Sequence, residues 1–244
     1  MPLKVELHTH TSDDPVDVIP HDAPALIDRA AALGYQALAI TLHERYLDPA
    51  PLSGYAAARG IVLIPGVERT IEGKHVLLIG FSAAAERVST FDDLSRLRNQ
   101  ERGIVVAPHP FFPERSCLGR QLERHAELFD AVEVNAFYSR TLNFNKRAMR
   151  WAAQHGKPLV GNGDIHRLTQ LGTTWSLVDA EPEPQAICDA IRAGRVEVRT
   201  SPITLVQMVT LLADIVGAGN VRRLTSAPSR ARSDYRPDPS RTHS

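Results

Sequence analysis

The residues best suited to chemistry in this sequence are histidines and carboxylates that each follow a short apolar run. His8 and His10 lie two positions apart, directly after the run 3–7. Alternate side chains of a β-strand project from the same face, so two imidazoles at this spacing can bind one metal ion. A His-x-His pair is a weak signal when taken alone. The rest of the chain must therefore decide what the pair does.

Five more potential metal ligands occupy similar positions, each at the carboxyl end of a predicted strand. In parallel α/β folds these ends meet at one edge of the sheet, so the side chains are expected to converge. Mixed imidazole and carboxylate ligands suit divalent cations such as Zn²⁺, Mn²⁺ and Fe²⁺, and a carboxylate can bridge two ions. The converging residues are His8, His10, His43, Glu68, His109, Asp164 and His166.

The elements that would position these residues alternate between strand-like and helix-like runs. Buried strands separated by helices of about ten residues are typical of an α/β barrel or an open parallel sheet, and we favour the barrel. Strands are predicted over 3–7, 37–41, 61–68, 75–81, 104–107, 131–134, 158–161 and 196–198, and helices over 24–33, 55–59, 91–102, 143–155 and 185–192.

Composition limits the class of partner and the compartment. The 28 basic residues balance 28 acidic ones, so no overall field attracts nucleic acid or an anionic membrane. Cys117 and Cys188 lack the close spacing of a thiolate metal site, and their number argues against a disulfide framework. Without a signal peptide or a long apolar run, the chain is predicted to be cytoplasmic, with no membrane partner and no stable nucleic-acid partner. The sequence does not indicate an oligomeric state.

The last part of the chain differs from the rest. Residues 205–216 are apolar and are predicted to form a helix packed on the barrel. Residues 217–244 are rich in Arg, Ser and Pro, a composition that buries too little apolar area to offset the entropy of ordering. We therefore expect one domain over 1–216 and a disordered tail over 217–244.

Taken together, the polar residues form four motifs that resemble those of the polymerase and histidinol phosphatase (PHP) family. Leu42 stands where that family usually has Asp, and Gly163 stands where it usually has Ser, but neither change removes a potential ligand. The resemblance extends from residue 3 to about residue 200. Its segments are His8-Thr9-His10-Thr11, Thr41-Leu42-His43, His109-Pro110 and Gly163-Asp164-Ile165-His166, together with Glu68 in a Gly-x-Glu segment.

The resemblance implies a distorted seven-stranded (β/α) barrel that holds two or three divalent ions, with Zn, Mn and Fe all compatible. One ion would be held by His8, His10, Glu68 and Asp164. Glu68 would bridge to a second ion held by His109 and His75. A third ion would take His43 and His166 with either Asp14 or Asp17, and His21 is an outside choice that we otherwise interpret as a surface residue. Glu133 and Asn135 are expected to lie beside the ligands rather than to ligate directly.

The same resemblance implies a stand-alone phosphoesterase that hydrolyses a small-molecule phosphate ester with metal-activated hydroxide. His43, Asp164 and His166 are the predicted catalytic residues. Arg69, Arg140 and Arg167 are candidates for binding the substrate phosphate, with structural salt bridges as the rival use. A metal-dependent amidohydrolase and a non-catalytic, metal-stabilised regulatory module remain as alternatives. The loops 44–53 and 111–120 would select the substrate, but they do not identify it.

Overall fold

Ten strands form two five-stranded sheets in the computed structural model, which describes residues 1–211 and 213. In chain order, β1 to β10 are Leu3–Glu6, Ala37–Ala39, Val62–Ile64, Gly66–Ile71, Lys74–Ile79, Ile104–Ala107, Ala131–Asn135, Leu159–Asn162, Thr174–Val178 and Val196–Thr200. The first sheet has the order β10-β9-β1-β2-β3, and the second has the order β4-β5-β6-β7-β8.

Six α-helices connect these strands in the described part of the chain. Two of them have a side-chain cap at the start: the Asp22 side chain accepts a hydrogen bond from the Ala25 amide in the first helix, and Thr90 forms a capping box with Asp93 in the third. In chain order, α1 to α6 are Ala23–Ala32, Ala50–Ala57, Phe91–Gln100, Arg120–Arg124, Asn145–Gln154 and Pro184–Arg192.

Both sheets mix parallel and antiparallel pairs. In the first sheet β1, β2 and β3 run parallel, while β9 runs antiparallel to both β1 and β10. In the second sheet β6, β7 and β8 run parallel, while β5 runs antiparallel to β4 and β6. Glu72 and Gly73 both have positive φ and form the tight turn between β4 and β5, which makes this pair a hairpin.

The predicted α/β class is confirmed, but the strands do not close into a single barrel. The predicted strand 61–68 is two strands, because Pro65 has no amide hydrogen to continue the ladder and the chain changes sheet there. The prediction also missed β9, which lies between β1 and β10. Two isolated parallel bridges, Thr9 with Ile165 and His43 with Glu68, connect the segments after β1 and β2 to the segment after β8 and to β4, where β8 and β4 are the edge strands of the second sheet.

The predicted helices are present, with small shifts at their ends. The second covers Ala50–Ala57 rather than 55–59, since the preceding prolines favour an earlier start. Residues 205–211 are helical, as expected for the start of the predicted helix 205–216, and Met208 is buried. The predicted tail 217–244 lies outside the described residues. No helix in the described part of the chain is long and apolar enough to cross a membrane.

Gly161 allows β8 of the second sheet to lie directly against β9 of the first. Its amide donates to the Ser176 hydroxyl at 2.9 Å. A Cβ at this position would lie 2.7 Å from the carbonyl oxygen of Trp175 and 2.9 Å from a methyl group of Val198. Because the nearest atom is backbone, the neighbouring strand itself would have to move.

We therefore expect Gly161→Ala to lower the free energy of unfolding by about 1–3 kcal/mol through overpacking. Urea denaturation followed by circular dichroism would measure the change. Gly54→Ala is the matched control, since nothing lies within 4 Å of its added methyl group in α2. That substitution should be neutral or stabilising by up to about 1 kcal/mol. Equal effects of the two substitutions on stability would contradict close contact between β8 and β9 at Gly161.

Candidate metal centre

The segments that follow β1, β2 and β8 are hydrogen-bonded to one another, and this brings the predicted ligands together. The His10 amide donates to the Ile165 carbonyl at 3.1 Å, and the Ile165 amide donates to the His8 carbonyl at 3.1 Å. On the other side of the same segment, the Thr41 amide donates to the Thr9 carbonyl at 2.8 Å. His8 and His10 are thereby held between the segments that carry His43 and Asp164.

Glu68 lies at the centre of the cluster, with only 1% of its side chain exposed. Its Oε2 lies 3.1 Å from His8 Nε2, 3.4 Å from His10 Nε2 and 3.3 Å from His43 Nε2. Its Oε1 lies 2.7 Å from His75 Nδ1 and 3.7 Å from His109 Nε2. One carboxylate therefore faces imidazole groups on both of its oxygens, as a bridging ligand would.

His8 and His10 each lie close to two carboxylates, Glu68 and Asp164. His8 Nε2 lies 3.4 Å and His10 Nε2 lies 3.5 Å from Asp164 Oδ1, and both nitrogens are about as close to Glu68 Oε2. A tetrahedral ion with ligand distances of about 2.1 Å separates its ligand atoms by about 3.4 Å. His8, His10 and Glu68 form one group that could hold a divalent cation, and Asp164 lies within 3.5 Å of both imidazoles.

Two buried atoms in the centre lack a hydrogen-bond partner among the described residues. They are His10 Nε2 and Glu68 Oε1. His10 donates its Nδ1–H to Asp14 at 2.9 Å, so its Nε2 carries a lone pair that faces the oxygens of Glu68 and Asp164. A lone pair facing carboxylates in a buried site is unfavourable unless a cation lies between them. This arrangement supports metal binding independently of the resemblance in sequence.

The two carboxylates proposed for the third ion have different environments. Asp14 Oδ1 accepts hydrogen bonds from the Val16 and Asp17 amides, while its Oδ2 lies 2.9 Å from His10 Nδ1 and 3.0 Å from His43 Nδ1. Asp17 Oδ2 lies 3.0 Å from His166 Nε2 and 3.9 Å from His43 Nδ1, and 35% of the side chain is exposed. The Asp14 oxygens already have donors, so Asp17 is the better candidate for a ligand.

The interpretation of His21 as a surface residue is wrong. Only 6% of this residue is exposed, and neither ring nitrogen has a hydrogen-bond partner among the described residues. Its carbonyl accepts a hydrogen bond from the Ser12 amide at 2.7 Å, which closes the loop that carries Asp14 and Asp17. The residues around His21 are polar, so the sequence gave no indication that its ring is buried. The burial arises because the loop folds back over its own residues.

Opposite charges dominate the electrostatics of the centre. Burial alone would raise the pKa of Glu68, but His8, His43 and His75 hold it well below its usual range. Burial would likewise raise the pKa of Asp164, and His8 and His10 hold it low. Conversely, burial would lower the pKa of His8, but Asp164 and Glu68 raise it well above its usual value. Both carboxylates are therefore ionised at neutral pH and available to a cation.

A second layer of side chains orients the candidate ligands. The His8 Nδ1–H donates to Glu133 at 2.9 Å, which leaves Nε2 facing Glu68 and Asp164. Glu133 also accepts a hydrogen bond from the His109 amide at 2.7 Å, and Asn135 lies within 3.4 Å of Asp164. The expectation that Glu133 and Asn135 lie beside the ligands agrees with these contacts.

Sequence reasoning missed two buried residues of this layer. Cys117 Sγ lies 3.3 Å from His109 Nδ1, so the thiol helps to orient this ring. Glu6 is fully buried and accepts hydrogen bonds from the amides of Gly163 and His8. The signal for Glu6 was present, since an acidic residue within a buried apolar strand needs a compensating partner. No comparable signal marked Cys117.

Three non-glycine residues at the centre have a positive φ. They are Glu44 at 59°, His109 at 28° and Asp164 at 51°. Such backbone conformations are strained for residues with a Cβ, and they persist where the surrounding structure fixes them, often at functional sites. His109 and Asp164 turn the chain two residues after β6 and β8, and Glu44 turns it directly after the candidate ligand His43.

The three arginines predicted to bind substrate are placed differently from one another. Arg69 pairs with Glu44 and donates to the Val88 carbonyl, which is the structural use foreseen as the rival. Arg140 is exposed. Arg167 donates to the His166 carbonyl at 2.8 Å and so stays next to a candidate ligand. Their role toward a substrate remains a prediction.

Comparison with known proteins supports the resemblance in sequence. A family model described as PHP-associated (PHP_C) matches residues 143–196, which include β8, Asp164 and His166. No curated protein matches the chain in sequence.

Several solved structures share the fold. A two-domain protein from Bacteroides vulgatus ATCC 8482 that contains a predicted PHP-like metal-dependent phosphoesterase matches with a TM-score of 0.63 and 20% identity over 88% of this chain and 70% of its own. An amidohydrolase from Chromobacterium violaceum matches with a TM-score of 0.56 and 18% identity over 79% and 97%. The lesion-specific endonuclease PfuEndoQ from Pyrococcus furiosus matches with a TM-score of 0.57 and 15% identity over 97% and 74%.

The different environments of Asp14 and Asp17 lead to a prediction about metal binding. In Asp14→Asn the remaining oxygen can still accept from the Val16 and Asp17 amides, but an NH2 donor replaces the Oδ2 that faces His10 and His43, and we expect metal affinity to fall about 10–100-fold. Asp17→Asn should remove at most one bound ion and leave the others in place. Metal content after dialysis, measured by inductively coupled plasma mass spectrometry, separates the two. Loss of a single ion in Asp14→Asn with full occupancy in Asp17→Asn would reverse the assignment.

Glu6 should make stability depend on pH. Burial raises its pKa from 4.5 to about 8, although the amides of Gly163 and His8 partly oppose the shift. Because the folded pKa is the higher one, stabilisation by protonated Glu6 is complete below pH 4.5 and is lost as the pH rises toward 8. The difference in unfolding free energy between wild type and Glu6→Gln should therefore change over this range by a few kcal/mol, roughly. A constant difference in urea melts from pH 5 to about pH 9 would contradict the shift.

Proposed function

We propose that this chain is a member of the PHP family and a metal-dependent hydrolase that cleaves the phosphate ester of a small molecule. The observation that carries the proposal is that His8 Nε2 and His10 Nε2 both lie within 3.5 Å of carboxylate oxygens of Glu68 and Asp164. The lone pair of His10 Nε2 has no donor among these residues. Such an arrangement favours the binding of a cation and does not stabilise the metal-free protein.

We assign further ions to the residues around these four candidate ligands. His75 and His109 face the second oxygen of Glu68 and would hold a second ion with it. His43, His166 and Asp17 would hold a third, with Asp14 orienting His43. Imidazole and carboxylate donors are compatible with Zn, Mn and Fe. When bound, divalent cations supply Lewis-acid activation of water and of the phosphoryl group.

The exposed fractions of the side chains define the side that a substrate reaches. His8 and His10 are completely buried, whereas the side chains of His43, His166 and Asp164 are 8%, 12% and 25% exposed. These three are therefore the residues that we assign to catalysis. Burial alone would lower the pKa of His43, but Glu68 and Asp14 raise it to about 9. His43 can thus hold a proton for the leaving oxygen when it does not ligate a cation.

The remaining assignments concern substrate and domain. We propose that residues 1–216 form the catalytic domain and that Arg167, which stays beside His166, contacts the substrate phosphate. A tetrahedral phosphoryl group with several anionic oxygens is the natural partner of two or three cations. The C. violaceum and P. furiosus structures are an amidohydrolase and an endonuclease, so amides and DNA belong in any test.

The test is a turnover screen of the protein loaded in turn with Mn²⁺, Zn²⁺ and Fe²⁺. We expect phosphate release from at least one class of sugar, nucleotide or amino-alcohol phosphate. His8→Ala and Asp164→Ala should lower that release by about a hundredfold or more, because each removes a ligand of the central ion. His125→Ala is the control, since that ring stacks on Phe91 and belongs to none of the ligand groups.

The same screen decides between the alternatives. Turnover of acyl amides without phosphate release would favour an amidohydrolase, and cleavage of damaged DNA duplexes would favour a nuclease. Full metal content without turnover of any of these would favour the regulatory module. Activity that survives in both His8→Ala and Asp164→Ala would contradict the proposed centre.

A further inference from the structure

A basic groove of about 490 Å³ lies beside the loop that carries His109. This volume falls in the range of about 300–1,000 Å³ that is typical of small-molecule sites. The groove lies between α4 and α5, and we call it the arginine groove. It is lined by Phe111, Gly119, Arg120, Glu123, Arg147, Arg150, Trp151 and Gln154.

The positive charges of the arginine groove are not neutralised by the protein. Within residues 1–211, the side chains of Arg120, Arg147 and Arg150 form no ion pair and no hydrogen bond, and all three are exposed. Arg147 instead lies over the ring of Phe111, 4.2 Å from its centroid, which fixes its position without using its donors. Arginines with free donors that converge on one groove are the arrangement used to bind oxyanions.

Of the other groups of the groove, Glu123 and Trp151 already have partners, and the exposed amide of Gln154 adds to the arginine donors. Glu123 accepts a hydrogen bond from Trp151 Nε1 at 2.7 Å and lies 3.5 Å from His155 Nε2. The Trp151 ring stacks on His155 with 4.0 Å between the centroids. Three guanidinium groups against one carboxylate leave a formal charge of +2 in the groove. The chemistry that remains for a ligand is therefore that of guanidinium and amide donors.

A small, multiply charged anion fits this groove better than a polymer does. The chain has no net charge, so no wider field would steer a nucleic acid to this surface. Each guanidinium offers two parallel N–H donors, a geometry that matches phosphate. Phe111 follows His109 by two residues, so their backbones lie at most about 7 Å apart. The Gly119 amide donates to the Pro110 carbonyl at 2.8 Å and ties the groove to the loop of the metal centre.

We propose that the arginine groove binds a phosphate group, with Arg120, Arg147 and Arg150 as its donors. The phosphate has two possible sources: a second phosphate on the substrate whose ester is cleaved at the metal centre, or free inorganic phosphate. The first source rests on the proposed function, and the second does not.

Binding is tested by equilibrium dialysis of the metal-loaded protein with radiolabelled inorganic phosphate. The double variant Arg120→Gln, Arg150→Gln should weaken binding at one site by about tenfold or more, since each substitution removes a charged donor. Arg124→Gln is the matched control, because Arg124 lies in the same helix α4 but does not line the groove. Metal content should be the same in all proteins. Wild-type binding by the double variant would overturn the proposal.

The source of the phosphate is read from kinetics with a hexose bisphosphate and the matching hexose monophosphate. If the groove holds the second phosphate of the substrate, the double variant raises KM for the bisphosphate about tenfold and leaves KM for the monophosphate unchanged. If dialysis shows lost binding while both KM values are unchanged, the occupant is free phosphate. A protein that turns over neither these esters nor any phosphate ester of the earlier screen refutes the proposed function, and the dialysis result then decides the groove alone.

Discussion

The structure depends on the burial of one carboxylate, Glu68, among imidazole rings. An ionised carboxylate removed from water is costly unless charges and hydrogen-bond donors surround it. Here the compensation comes from segments that lie far apart in sequence, since the rings of His8, His43 and His75 all reach Glu68. The isolated bridge between His43 and Glu68 is also one of the two that join the sheets. Glu68 therefore takes part both in the charge balance of the centre and in the contact between the two sheets.

The need to surround Glu68 with correctly oriented imidazoles explains why the side chains beside the candidate ligands are largely polar. His8, His10 and His43 each give their Nδ1–H to a carboxylate, Glu133 or Asp14, and each turns Nε2 toward Glu68. A ring fixed in this way loses little freedom when it binds an ion, so the ordering cost is met during folding rather than during binding. The same arrangement leaves the Nε2 lone pair of His10 facing the oxygens of Glu68 and Asp164. The apoprotein accepts this unfavourable geometry because packing on every side over-determines it.

The sequence was informative where potential metal ligands follow the carboxyl ends of parallel strands. Residues at the carboxyl ends of parallel strands must share an edge, so the convergence of His8, Asp164 and His166 followed from short apolar runs alone. Closure of the sheets did not follow, because the hairpin after Glu72 reverses β5 and Pro65 divides one apolar run between two sheets. β9 was missed because only alternate residues of its segment are fully buried, and it gave no continuous apolar run. The burial of His21 depends on a loop that folds over itself, which no local pattern records.

The arginine groove lay beyond sequence reasoning for a related reason. Arg147 and Arg150 face it from α5, and Arg120 comes from α4, so no motif joins them. A balanced total charge conceals such a site, since 28 basic residues matched by 28 acidic ones indicate nothing about where they lie. The positions of the charges matter for chemistry. The carboxylates of the metal centre would repel an anion when no cation is bound, whereas the guanidinium groups of the nearby arginine groove can attract it. Recognition of an anionic substrate would then be divided between metal ions in the centre and arginines in the groove. The loop from His109 to Gly119 connects the two, so its conformation sets the spacing between the charges that a substrate must match.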